Sequence, residues 1–159
     1  MALDSERFRF LFRSDQGRID PVTWLRGVRT LALVVIPFAL GWMMLAPYTD
    51  HDITSSPFFV PQTALAYAFA ILYAFVVLLV AVSYVNLSAK RFRDRGLSPA
   101  LGLASLAPLA ALIAGAAHWL QPRVPEAMAL GWVWGVDAVL IGVVLWTAYE
   151  LGLQPSKAP

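Results

Sequence analysis

Residues 62–88, QTALAYAFAILYAFVVLLVAVSYVNLS, run for 27 positions without a lysine, arginine, aspartate or glutamate. About 20 apolar helical residues cross a hydrocarbon core roughly 30 Å thick, and an amphipathic helix in water would need a polar face. This stretch has no such face and reads as a membrane span. Working outward, the same pattern recurs at about 24–46, 99–120 and 129–151. The expected architecture is an all-α, four-transmembrane-helix bundle. It has an interfacial N-terminal segment (1–23), a membrane domain (24–153) and a short tail (154–159). Composition agrees: 59% of the 159 residues are hydrophobic and 14% charged, against about 45–50% and 25% in a soluble domain.

Local chemistry marks the span boundaries. Asp20 precedes Pro21, as an N-cap precedes a first helical position that tolerates proline. Ser98 and Pro99 repeat that arrangement before span three. Pro37 and Pro108 are expected to kink their helices or free backbone carbonyls. The first thirty residues hold six arginines and no early apolar run, so the first span is expected to stay as an anchor and not to be cleaved. Cysteine is absent, which excludes disulfides, thiolate nucleophiles and cysteine metal sites.

Lysine and arginine in the loops set the orientation. Arg7, Arg9, Arg13 and Arg18 precede span one, with Arg26 and Arg29 in its first turns. Lys90, Arg91, Arg93 and Arg95 follow span two, and Lys157 lies in the tail. The loop after span one carries Asp50 and Asp52 and no basic residue, and the loop after span three carries only Arg123. Both termini and the Lys90 loop are therefore expected in the cytoplasm.

The most distinctive motif is Lys90-Arg91-Phe92-Arg93-Asp94-Arg95-Gly96. Such a cluster at a membrane surface attracts anionic headgroups. Phe92 can dip into the boundary while the cations stay wet. Asp94 can fix one arginine and leave another for a phosphate. The plainer reading is a topology signal with local salt bridges. Upstream, Arg7-Phe8-Arg9-Phe10-Leu11-Phe12-Arg13 interleaves cations and aromatics and can lie along the interface. Single-stranded nucleic acid also favours that alternation, but the adjoining membrane surface accounts for it, and no nucleic-acid partner is expected.

Gly17-Arg18-Ile19 ahead of Trp24, followed by Arg91-x-x-Asp94-Arg95-Gly96 and Ser98, resembles the domain-of-unknown-function 805 family of small bacterial inner-membrane proteins. The resemblance covers about residues 8–151. Where that family commonly has leucine and histidine before the aspartate, this chain has Phe92 and Arg93. Pro99-Ala100 replaces its usual Gly-Trp. The resemblance implies a multi-pass protein of the bacterial inner membrane. It brings no established activity and no histidine chemistry at this loop.

Inside the spans, Asp137 is the outstanding polar residue, with Tyr73 about level with it. A buried carboxyl there is either a proton or substrate site or a hydrogen-bonded lock between helices. Glu150 is expected to pair with Arg26, Arg29, Lys90 or Arg91. Gly131 and Gly135 form a G-x-x-x-G pair, and Ala107, Ala111 and Gly115 repeat the spacing. The two rows can pack spans three and four together, or one can face a second protomer. Asp50-His51-Asp52 is a weak metal candidate, because adjacent residues do not readily aim at one ion. No cofactor or metal is expected.

The leading functional expectation is a non-enzymatic binding or assembly protein. Its cytoplasmic face of Arg18, Arg91, Arg93, Asp94 and Arg95 would hold an anionic membrane lipid or an acidic partner. The alternatives are a small oligomeric transporter using Asp137 and a membrane enzyme acting on a lipid phosphate.

Overall fold

The computed structural model describes residues 2–49, 57 and 59–157. Those residues form helices and connections, with no strand among them. Helix α1 (Ala2–Phe8) runs into a π-helical turn, Arg9–Arg13. Helix α2 (Pro21–Leu45) ends in a 3₁₀ turn, Ala46–Thr49. Helices α3 (Pro61–Asp94) and α4 (Ala100–Leu120) follow. Helix α5 (Leu130–Thr147) closes in a π-helical turn, Ala148–Leu153. The four helices α2 to α5 are long and apolar enough to cross a membrane. The Asp50-His51-Asp52 trio lies outside the described residues.

Three boundaries differ from the sequence reading. Asp20 precedes α2 in extended conformation and its carbonyl accepts from the Trp24 N–H at 3.1 Å, but its carboxylate makes no capping bond. That carboxyl is held below the usual aspartate range, chiefly by the Thr23 hydroxyl. Helix α4 begins at Ala100, with Pro99 at the N-cap position and no side-chain cap. The largest departure is α3. Its 34 residues make a rod about 51 Å long at 1.5 Å per residue, well beyond a bilayer core. The segment expected as a loop from Lys90 is helical to Asp94, because its charged side chains find partners within the chain.

Gly96 stops α3. At φ +70° it adopts the left-handed conformation that glycine takes without penalty. The Gly96 N–H donates to the Arg93 carbonyl at 3.0 Å and the Leu97 N–H to the Phe92 carbonyl at 2.9 Å. This is the Schellman pattern that satisfies the last carbonyls of a helix. Pro37 and Pro108 sit inside α2 and α4, which continue through them.

Successive long helices pack in order, α2 on α3, α3 on α4 and α4 on α5, and the turn after α5 returns to α2. The core gathers at one end, around Phe12, Ile19, Trp24, Leu87, Phe92 and Leu151. Elsewhere the helices present apolar surface outward; Met44 and Ile71 are about three-quarters exposed. In water such exposure costs about 25 cal/mol per Å²; a hydrocarbon solvent removes that cost.

Candidate functional site

The end of α3 is a hub where both terminal segments dock. Asn86 Nδ2 donates to the Phe12 carbonyl at 2.9 Å. Lys90 Nζ donates to the carbonyls of Phe10 and, at 3.0 Å, Leu11, and lies 4.6 Å from the Phe10 ring centroid. Arg93 binds Asp15 twice, through its carbonyl and, at 2.9 Å, through its carboxylate. These bonds hold the π-helical turn Arg9–Arg13 and Asp15 against α3. Gly17, at φ +97°, turns the chain there. A Cβ at this glycine would stand 2.9 Å from the Phe10 ring. Ile19 then enters the core and leaves Arg18 outside.

Two arginines hold the C-terminal segment. Arg91 is fully buried. Its Nε donates to the Leu151 carbonyl at 2.9 Å, Nη2 to the Gln154 carbonyl, and Nη1 to Asp94 and, at 3.3 Å, to Ser156 Oγ. Arg95 binds Glu150 Oε1 from Nε and Nη2 at 3.1 and 2.9 Å, and the Pro155 carbonyl from Nη1 at 2.8 Å. Phe92 stacks on Trp146 with centroids 5.7 Å apart. Trp24 Nε1 donates to Ser88 Oγ at 3.1 Å and so ties α2 to the same hub. A buried guanidinium is tolerable only when its donors are satisfied, and Arg91 meets that condition with backbone carbonyls that α5 and its tail supply.

The sequence reading is corrected here in several respects. Lys90 and Arg91 do not stay wet but are buried, as is Phe92. Arg91, Arg93 and Arg95 all donate hydrogen bonds within the chain, Arg93 while a third exposed. Glu150 pairs with Arg95 and not with the four partners expected for it. Arg18 is exposed and makes no hydrogen bond or ion pair to the cluster among the described residues. The sequence reading missed Asn86 and Asp15, whose partners lie more than seventy residues away in the chain, and the carbonyls of Leu151, Gln154 and Pro155, because backbone acceptors carry no sequence signature.

At the opposite end, Asp137 contacts His118 Nε2 at 3.0 and 3.1 Å. This contact joins α4 to α5. Tyr73 stacks instead on Trp42, centroids 6.4 Å apart. Tyr73, Trp42 and His118 border an open hollow of about 1010 Å³ between α2, α3 and α4. The glycine row does not pack helices within the chain. A Cβ at Gly131, Gly135 or Gly115 would meet nothing within 4 Å. The side of α4 that is buried carries Ala100, Ala104, Ala110, Ala114 and Ala117, not Ala107, Ala111 and Gly115. Among the described residues no group of three or more histidines, cysteines or carboxylates could hold a metal ion.

No family model, curated protein or solved structure matches this chain.

Proposed function

We propose that this chain is a non-enzymatic, multi-pass protein of the bacterial inner membrane. In this reading both termini are cytoplasmic and the basic end of the bundle engages anionic lipid, which anchors a binding or assembly role. The segregation of charge carries it. Eleven of the twelve basic residues lie in the segments at the α3 hub, against six acidic ones, a net of +5 there. Among the described residues, the opposite end has Arg123 against Glu126 and Asp137, and the sequence between α2 and α3 adds Asp50 and Asp52 with no basic residue. Retention of lysine and arginine on the cytoplasmic side favours one orientation, and the anionic cytoplasmic leaflet attracts each basic residue near its surface by about 1 kcal/mol. The resemblance carried by Gly17-Arg18-Ile19 and Arg91-x-x-Asp94-Arg95-Gly96 supports the same location.

Inward use of the motif arginines refines the reading. They build the end face, and the net positive charge of that end draws the anionic lipid to it. The absence of native cysteine makes the test simple. An impermeant thiol reagent should label Glu126→Cys on intact cells and leave Ser14→Cys unmodified until lysis. Labelling of Ser14→Cys from outside overturns the orientation and with it the lipid-facing role of the basic end.

A further inference from the structure

Four of the basic residues at the hub are committed to partners, but the side chains of Arg7 and Arg26 have no hydrogen-bond or ion-pair partner among the described residues, and both are exposed. They line the same small crevice between α1 and α2, about 200 Å³ in volume, with Leu11, Phe12, Thr23 and Thr30. At about 30 Å³ per water, it has room for a phosphate group with ordered water. No carboxylate lines it among the described residues. Thr30 already donates its hydroxyl to the Arg26 carbonyl at 2.9 Å. Arg7 and Arg26 are therefore the charged residues of the crevice, with no partner for either guanidinium among the described residues. Arg7 and Arg26 thus bring two like charges to one small space, where an anion would relieve their repulsion, and guanidinium forks match phosphate oxygens in pairs.

Depth and shape favour a lipid as the source of that phosphate. Arg26 lies five residues after Pro21, about 7.5 Å along the helix, where a span of this length passes through the headgroup region. Residues 26, 30, 33 and 34 share a helix face by their spacing. Leu33 and Val34 on that face are 63% and 44% exposed, an apolar track that leads from the crevice toward the bilayer interior. We infer that the Arg7–Arg26 crevice is a specific site for the phosphate of an anionic phospholipid, with the acyl chains laid along Leu33 and Val34.

This inference rests on the proposed lipid-facing role of the basic end, and the experiment separates the two. Detergent-purified full-length protein is titrated with phosphatidylglycerol or phosphatidylcholine, and bound lipid is counted by native mass spectrometry. The variants are Arg7→Lys and Arg26→Lys, with Arg9→Lys and Arg29→Lys as charge-preserving controls on exposed arginines that do not line the crevice. Parent protein should retain phosphatidylglycerol preferentially. Each crevice variant should weaken that retention about tenfold, the scale of a lost charge-assisted hydrogen bond, while the two controls bind as the parent does. If all four variants match the parent, the crevice is wrong and only a diffuse basic surface remains. If the parent shows no preference between the lipids, the lipid-facing role itself fails. If millimolar inorganic phosphate displaces phosphatidylglycerol from the parent, the acyl track contributes nothing and the assignment to a lipid is overturned.

Discussion

At the scale of a single residue, Arg91 shows how a charged side chain can serve as an internal fastener. Its donors reach one carboxylate, one hydroxyl and two backbone carbonyls, and its side chain is wholly shielded. Lysine preserves the charge but offers one compact head where the fork reached several acceptors. Arg91→Lys should destabilise the protein by about 2–3 kcal/mol, the worth of one or two hydrogen bonds to a charged group. Arg93 is a third exposed in its pair with Asp15, so Arg93→Lys should change stability by about 1 kcal/mol or less. Thermal aggregation in matched detergent measures both, and equal midpoints would refute the distinction. The residue types at this end were legible as special from the sequence, but the direction in which they point was not. A basic run after an apolar span looks the same whether its donors face water or carbonyls sixty residues away.

Among the elements, α3 does most to organise the molecule, and the glycines along the other helices separate sequence spacing from actual contact. Gly27 of α2 meets α3 closely: a Cβ there would stand 2.6 Å from Leu87 Cδ2, and Leu87 is itself fully buried. Gly135 looked the better packing glycine by its four-residue spacing, yet its Cβ would enter open space. Gly27→Ala should therefore cost about 1–3 kcal/mol by overpacking. Gly135→Ala should be neutral or stabilising by up to about 1 kcal/mol, the helix-propensity difference. Circular dichroism melts of the two variants in one detergent decide this, and a larger loss in Gly135→Ala would contradict it. Helix existence was legible because 27 uncharged residues leave no alternative. The end of α3 was misread because charge was equated with a loop. The His118–Asp137 contact escaped depth counting because His118 lies two residues from the end of α4 and Asp137 seven from the start of α5.

For the molecule as a whole, the polar end is the well-packed end. Its core draws on the turn after α1, on α2, α3 and α4, and on the turn after α5, while the opposite end opens into the hollow beside Trp42 and Tyr73. The terminal segments should therefore matter more to stability than their length suggests. A stop after Leu153 removes the acceptors at Gln154, Pro155 and Ser156 from Arg91 and Arg95. It should lower the aggregation midpoint by several degrees, at about 2–4 °C per kcal/mol lost. An unchanged midpoint would show that these bonds are incidental. The hub also has a consequence in time. The ribosome releases the Lys90 partners Phe10 and Leu11 long before α3, but the Leu151 carbonyl that receives Arg91 follows it by sixty residues. At about 5–20 residues per second, that guanidinium has Asp94 beside it almost at once but waits roughly 3–12 s in the nascent chain before its acceptors in the C-terminal segment exist. Until then Asp94 is the acceptor within reach, and residues 151–156, made about sixty residues later, are the bolt that closes the finished protein.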